Sequence, residues 1–489
     1  MIPLQAPLTT TRAIARWARE TPDAIAVAED QSVVSYRQLA AHTIGAIRRL
    51  AEAGAAHGSI VAIECPARYI NLVLILACEA IGAAHASLWK GELTEDDELV
   101  RRCDVLCLAT AGIAPRPGQT LLRPDEAFVA ALAAEGDPAA ELHRLEGEYP
   151  PETIARIART SGTTGPIKNV AMTRRMVESI QAADAHVLGQ RALRHNFVST
   201  YGLEVLTTYR EASHVLRHGA AFVLAVRRTW QLDLAEFRPC QTYLTVGDAA
   251  RIAEDARQRG SPPRACLLRL IGGAVPPSLL ATLTAHVATD VFSQYSMTES
   301  IMVAVMDDND IGTVLPDVEA RLVDDAGLNV EAGEPGLLLV RSPRTCDGYL
   351  WDPALSGQRF ADGWFRSSDI AVMPEPGKLK VIGRADDAIN IGGLKIVPGH
   401  LESQMRTIDG VTEAALLRVD NEAGVGEAHV VIERRDARDD QRIRNLVTPI
   451  IRRTLDTAFV HFTDAMPRAG LGKIDRAALQ AIVKQSRPS

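Results

Sequence analysis

Apolar residues recur along this chain in two rhythms, short runs of β-branched and small residues and longer stretches with a three-to-four-residue period. Ile25-Ala26-Val27-Ala28 reads as a strand, and Tyr36 to Ala53 reads as a helix with Leu39, Ile44, Ile47 and Leu50 on one face. Ser59 to Glu64 is a strand again. The most apolar run, Tyr69 to Leu88, contains Asn71, Glu79 and His85. A charge in mid-run is costly in lipid, so this run predicts a buried helix, Ile70–Ile81, and a strand, Ala84–Leu88, and no membrane span. Arg102 to Leu108 and Ile154 to Arg159 also read as strands, residues 110–150 as loop and surface helix, and a helical pattern resumes near Arg174. Strand–helix alternation predicts α/β architecture with largely parallel sheets. A short strand is expected at Thr289–Phe292. Near residue 320 the pattern shortens to strands and Gly/Pro/Asp turns, as in Glu334-Pro335-Gly336-Leu337-Leu338-Leu339-Val340, which predicts a small β-rich subdomain. After Gly383-Arg384-Ala385-Asp386-Asp387 about a hundred residues remain, enough for a small α+β domain. Its strands are expected at Glu413–Val419 and His429–Glu433, and its helix at Asp440–Leu455, where Pro449 would kink or divide it.

Composition narrows the class. A chain of 489 residues is too long for one ordinary core, and the length suggests roughly two to four domains. Acidic residues exceed basic ones, 61 to 53, which argues against nucleic acid as the main partner. The seven cysteines are too few and odd in number for a disulfide scaffold, so a reducing, cytoplasmic setting is expected. Cys103 and Cys107 sit on one apolar run with no second ligand pair, which suits core thiols better than zinc. The N-terminal residues lack the apolar core and cleavage site of a signal peptide.

Five segments carry candidate chemistry. Thr160-Ser161-Gly162-Thr163-Thr164-Gly165-Pro166-Ile167-Lys168 lies between a strand and a helix. Its small residues let backbone N–H groups approach an anion, and its hydroxyls and lysine add donors suited to phosphate; a plain surface turn is the alternative. The segment lacks the Gly-Lys-Ser/Thr ending of a Walker A loop, which disfavours a P-loop NTPase. Ser293-Gln294-Tyr295-Ser296-Met297-Thr298-Glu299 offers an aromatic ring, a hydroxyl and a carboxylate that could stack a base, touch a phosphate and hold Mg²⁺, or it is only a polar strand end. Asp369, past the turn at Gly363-Trp364, could take a ribose diol or cap a turn. The charged turn Gly383 to Asp387, with Gly392-Gly393 beyond it, could be a hinge or an ordinary hairpin. Pro467-Arg468-Ala469-Gly470-Leu471-Gly472-Lys473 puts a lysine on a Gly-flanked loop that could reach another domain's cleft or remain a solvated basic loop.

The order of these segments resembles the adenylate-forming superfamily of acyl-CoA synthetases, non-ribosomal peptide synthetase adenylation domains and luciferases, over essentially the whole chain. Gly272-Gly273-Ala274 sits where that family has its glycine turn beside adenine. The resemblance implies a large N-terminal domain, residues 1–384, of α/β subdomains and a small β-rich subdomain, hinged to a small mobile α+β C-terminal domain, residues 385–489. It implies an acyl-adenylate made from a carboxylic acid and ATP with Mg²⁺, then transfer to a thiol or an amine, with the domains alternating between the two steps. It places Thr160, Ser161, Gly162, Thr163, Thr164, Gly165 and Lys168 around the β- and γ-phosphates. It puts Tyr295 on adenine, Thr298 on the α-phosphate, Glu299 on Mg²⁺, and Asp369 and Arg384 on the ribose. Asp386 takes the hinge position, Gly392 and Gly393 border the thiol channel, and Lys473 bridges the carboxylate and the α-phosphate. A lysine at that point suits the chemistry, because a carboxylate attacking a phosphate is anion meeting anion. The chain departs from the family pattern at Ile167-Lys168-Asn169, at Ser296 and at Gly399-His400-Leu401-Glu402. None of these removes a charged group assigned to adenylation.

The same resemblance assigns the acid pocket to Thr200–Tyr209 and to residues near Gly247, Gly272 and Met297. Glu204 could pair with a substrate ammonium, although exposure to solvent or pairing with an arginine is the reading favoured by its type. A small aryl, aliphatic or amino acid is the expected substrate. Only 489 − 473 = 16 residues follow Lys473, so a freestanding ligase is expected, with coenzyme A or a separate carrier protein as acceptor. The rival readings are an amide-forming ligase and a catalytically silent nucleotide-binding partner protein; Lys473, Glu299 and Asp369 argue against the second.

Overall fold

The computed structural model describes every residue except 1–7, 30–31, 111, 133–137, 161–166, 193, 227–229, 386, 388, 392–393, 422–425, 456, 470–472 and 486–489. The apolar periodicities become elements much as the spacing predicts. The helix Tyr36–Glu52 starts at an Ser35/Gln38 capping box, an arrangement that contributes about 1 kcal/mol. It buries the stripe of Leu39, Ile44, Ile47 and Leu50, and each such side chain contributes roughly 1.5–3 kcal/mol. The helix Arg68–Ile81 is buried along nearly its whole length and stops at Gly82, whose φ of 72° is left-handed. A Cβ there would lie 2.7 Å from the Tyr149 ring, so both the conformation and the space demand glycine. Glu79, the charge that argued against a membrane span, accepts a 2.5 Å hydrogen bond from the Tyr209 hydroxyl. Among the described residues no helix is long and apolar enough to cross a membrane.

One sheet has the strand order Thr120–Leu122, Val105–Leu108, Ile60–Glu64, Ala84–Ser87, Ile154–Thr160, Lys168–Thr173, parallel until its last, antiparallel pair. A second sheet has a parallel centre of Ile25–Glu29, Phe222–Leu224, Asn196–Ser199, Cys240–Thr245, Arg264–Ile271 and Ala288–Met297. It continues through antiparallel strands that include Gly336–Arg341, Trp364–Val372 and Lys378–Arg384, where the β-rich region was expected. Beyond these, Val411–Asp420, Gly426–Arg434 and Phe459–Thr463 form a separate three-stranded sheet, and Ile391, Leu416, Val430, Ile443 and Val447 share a core of their own. All seven cysteines are free and buried.

Three differences from the sequence reading have local causes. Ser32–Ser35 is an extra edge strand, paired with Ile25–Glu29, whose last residue doubles as the helix N-cap. The strand expected at Thr289–Phe292 runs on to Met297, because Ser293 to Met297 find partners in the antiparallel strand Ile301–Met306. Pro449 does not divide its helix, which runs from Asp440 to Arg452 with the proline in its last turn.

Candidate active site

The candidate segments gather just past the carboxyl ends of strands in both sheets. Thr160 closes Ile154–Thr160, Gly247 lies in the first turn of the helix after Cys240–Thr245, Gly272 follows Arg264–Ile271, and Thr298 follows Ala288–Met297. Ligand sites in α/β sheets form at such ends, because the loops there are free to vary while the strands hold them in place. Ser161, Gly162, Thr163, Thr164 and Gly165 of the phosphate-loop candidate lie outside the described residues, as do Asp386, Gly392 and Gly393. Lys473 opens a two-residue strand paired with Arg468–Ala469, in a small hairpin.

Two pairs of candidates separated by long stretches of chain meet directly. The Tyr295 hydroxyl donates to the Asp369 carboxylate. Asp369 also pairs in register with Arg384 on the adjacent strand, and its carboxylate stands 4.0 Å from the guanidinium. Burial pushes the Asp369 carboxyl above its usual range, against the opposing pull of Tyr295 and Arg384. Burial, together with the neighbouring Asp369 carboxylate, pushes the Tyr295 phenol well up, so it remains a donor. An aromatic ring, a carboxylate and a guanidinium thus share one wall, which can offer a face to a base and an acceptor to a diol.

Glu299 sits in the turn after Met297 and accepts a 2.7 Å hydrogen bond from the Tyr349 hydroxyl. The Lys168 ammonium lies 5.4 Å from the centre of the Tyr349 ring, a cation–π distance. Tyr349 therefore links the lysine of the phosphate loop to the carboxylate of the Thr-Glu turn. Backbone bonds brace both sides: Cys346 N–H donates to Glu299 C=O at 2.9 Å and Leu350 N–H to Asn169 C=O at 2.8 Å. Behind them the fully buried Arg344 makes a bidentate contact with Asp317 at 2.5 and 2.9 Å. Ile301, two residues past Glu299, has a φ of 57°. A β-branched residue in that region stores about 1–3 kcal/mol, a strain common at functional sites. Arg159, beside Thr160, is held by Glu92 and Asp97 at 3.2 and 2.5 Å.

Tyr349, Arg344 and Arg159 had no signal in the sequence, since each acts across a gap that no local period marks. Gly272 has a φ of 86°, and it and Gly273 are exposed; a Cβ on Gly272 would meet nothing and one on Gly273 only Val246. Thr298 and Met297 are half-buried. Glu204 differs from the favoured expectation. It is half-buried and forms no ion pair among the described residues; one carboxylate oxygen accepts from Asn71 at 3.4 Å and the other is buried without a partner among them. Beside Ala274, a cleft of about 220 Å³ separates Pro276, Asp310 and Lys380 from Gln404 and Arg406.

Residues 14–350 match the profile of the AMP-binding enzyme family. The chain is 28% identical to 2-hydroxy-7-methoxy-5-methyl-1-naphthoate--CoA ligase of Streptomyces carzinostaticus, over 96% of this chain and 92% of that one. It is 27% identical to feruloyl-CoA synthase of an Amycolatopsis species, over 94% and 96%. The fold matches ATP-bound MatB of Rhodopseudomonas palustris with a TM-score of 0.80 at 21% identity, covering 97% of this chain and 99% of that one. It also matches the amide bond synthetase McbA of Marinactinospora thermotolerans with a TM-score of 0.78 at 21% identity, over 97% and 99%.

Proposed function

We propose that this chain, which belongs to the AMP-binding enzyme family, is an AMP-forming acid–thiol ligase that joins a small aryl or aliphatic acid to coenzyme A through an acyl-adenylate. The observation that carries the reading is the convergence of Tyr295 with Asp369 and of Glu299 with Tyr349 and Lys168 at the carboxyl ends of the strands. The named CoA ligases among the relatives supply the acceptor.

In this reading Tyr295 offers its ring to adenine while Asp369 and Arg384 hold the ribose. Lys168, with Thr160 and residues 161–165, holds the β- and γ-phosphates. Thr298 donates to the α-phosphate. Lys473 lies between the acid's carboxylate and the α-phosphate as the carboxylate attacks and pyrophosphate leaves. Mg²⁺ fits the donor set: Tyr349 occupies one Glu299 oxygen, and among the described residues nothing bonds the other. A single carboxylate plus substrate phosphates is how Mg²⁺ is commonly held, and the ion would neutralise charge on those phosphates. Residues 385–489 form the moving domain, with Asp386 at its hinge and Gly392-Gly393 beside the acceptor channel.

Glu204 borders the proposed acid pocket among groups of both signs. Burial raises its carboxyl, and Arg156 and Arg68 are the cations that face it.

The test is ATP–pyrophosphate exchange over a panel of aryl, aliphatic and amino acids, followed by coenzyme A or an amine added to the preformed adenylate. Exchange dependent on an acid, then release of AMP with an acyl-CoA, is expected. Release by the amine alone would assign an amide-forming ligase. Lys473→Ala is expected to lower exchange by about two orders of magnitude or more while ATP binding persists; unchanged exchange removes the role given to Lys473.

A further inference from the structure

Arg156 is a fully buried guanidinium that forms no ion pair among the described residues. It stands on the strand Ile154–Thr160, and only its Nη2 is bonded, donating to the Leu203 and Glu204 carbonyls at 2.8 and 3.2 Å. Its Nε and Nη1 have no hydrogen-bond partner among the described residues. A buried cation left in this state is strongly destabilising unless something completes its hydrogen bonds. Its surroundings share the deficit. His85, its register partner on the adjacent strand, is fully buried with both ring nitrogens unpartnered. The second Glu204 oxygen is buried and unpartnered as well. Burial lowers the His85 imidazolium well below its usual range and raises the Glu204 carboxyl, the latter against the opposing charge of Arg156. The Tyr209 ring covers the guanidinium at 4.6 Å and bonds instead to Glu79.

The position of this array relative to the reacting end follows from strand geometry. Arg156, Ala158 and Thr160 alternate onto one face, and four residues of strand span about 13 Å. Ala158, the smallest of the three, shares an apolar cluster with Met176, Ile301 and Leu206. Buried apolar side chains thus lie along the strand between the phosphate-loop end and the unsatisfied donors.

We propose that Arg156 forms the far end of the acid pocket, and that the acid carries an oxygen acceptor there, remote from its reacting carboxyl, which accepts from Nε and Nη1. Arg156 is a specificity residue for that oxygen, the apolar body of the acid lies toward Ala158, Leu206 and Ile301, and Asn71 holds Glu204 in place beside the guanidinium. This rests on the adenylation reading above.

The test compares matched acids by ATP–pyrophosphate exchange: cinnamic with 4-hydroxycinnamic acid, and octanoic with octanedioic acid. A site built to bond an oxygen rejects the analogue lacking it, so the oxygen-bearing member of at least one pair is expected to have a kcat/KM higher by at least about tenfold. Arg156→Met, which keeps the apolar stem, is expected to erase that preference while the ATP half-saturation stays constant. Should thermal unfolding show that this variant does not fold, Glu204→Gln, which changes the group beside the guanidinium, is expected to alter the same ratio. Equal turnover within both pairs by the unaltered protein, or a preference that survives in folded Arg156→Met, overturns the inference and leaves the adenylation reading intact. Silence with every acid while ATP still binds defeats the adenylation reading and this inference with it.

Discussion

One phenol couples two charged candidates of the site. Tyr349 donates to Glu299 and lies beneath Lys168, so it fixes a carboxylate on one strand end and faces a cation on another. A hydrogen bond to a charged group contributes about 1.5–3 kcal/mol, which corresponds to roughly tenfold or more in an equilibrium. Tyr349→Phe keeps the ring beneath the lysine and removes only the donor. The Mg²⁺ concentration that half-saturates nucleotide binding is expected to shift about tenfold, with little change in thermal unfolding. An unshifted Mg²⁺ dependence, read by calorimetry with ATP, would show that the bond does not position Glu299. At this scale the sequence was legible for residue types and silent on their partners. Tyr295, Glu299 and Asp369 could be picked out because their side chains suit base, metal and diol. That Tyr295 would bond Asp369 across 74 residues, or Glu299 bond Tyr349 across 50, has no signature in any local period.

At the scale of elements, the cleft beside Ala274 places Asp310 of the turn after Ile301–Met306 opposite the helix Pro398–Arg406. Asp310 has a left-handed φ of 60°, and burial raises its carboxyl to about 6, against the opposing charges of Lys380 and Arg406. A raised carboxyl pKa means that ionisation opposes folding. The penalty is complete above about pH 6 and disappears as the pH falls toward the ordinary carboxylate range. Asp310→Asn, in a residue type that tolerates this φ, is therefore expected to stabilise the protein near pH 7.5 by about 1–2 kcal/mol after allowing for partial exposure. The gain should fall by more than half near pH 4.5, as read from urea midpoints. A gain independent of pH would assign the effect to backbone conformation instead. Elements themselves were the most legible level. Regular apolar spacing predicted the helices beginning at Tyr36 and Arg68 to within a few residues. The edge strand Ser32–Ser35 escaped because it is short and half-exposed and also serves as a cap.

For the whole molecule, the separate core of Ile391, Leu416, Val430, Ile443 and Val447 supports the proposed division at residue 384. A fragment of residues 385–489 is expected to unfold cooperatively and to give dispersed amide resonances. A collapsed, undispersed spectrum would mean that this region depends on the rest of the chain for its fold. The α/β alternation that marked the architecture in the sequence also explains why the site assembles: parallel strands deliver their following loops to one edge. The Arg156 array was beyond reach of such reasoning, because an arginine inside a strand reads as surface-facing until the helix over it is known.

The burial of every thiol has a practical consequence for following motion. With all seven cysteines inside, a maleimide dye has no native target to compete for it. One cysteine introduced at exposed Glu331 and another at exposed Arg452 would accept a donor–acceptor fluorophore pair without first stripping the chain of its own sulfur. Single-molecule energy transfer on that doubly labelled protein, with ATP, with an acid and with coenzyme A in turn, would report the distance between the two labels at each stage and so show whether the proposed moving domain changes place during turnover.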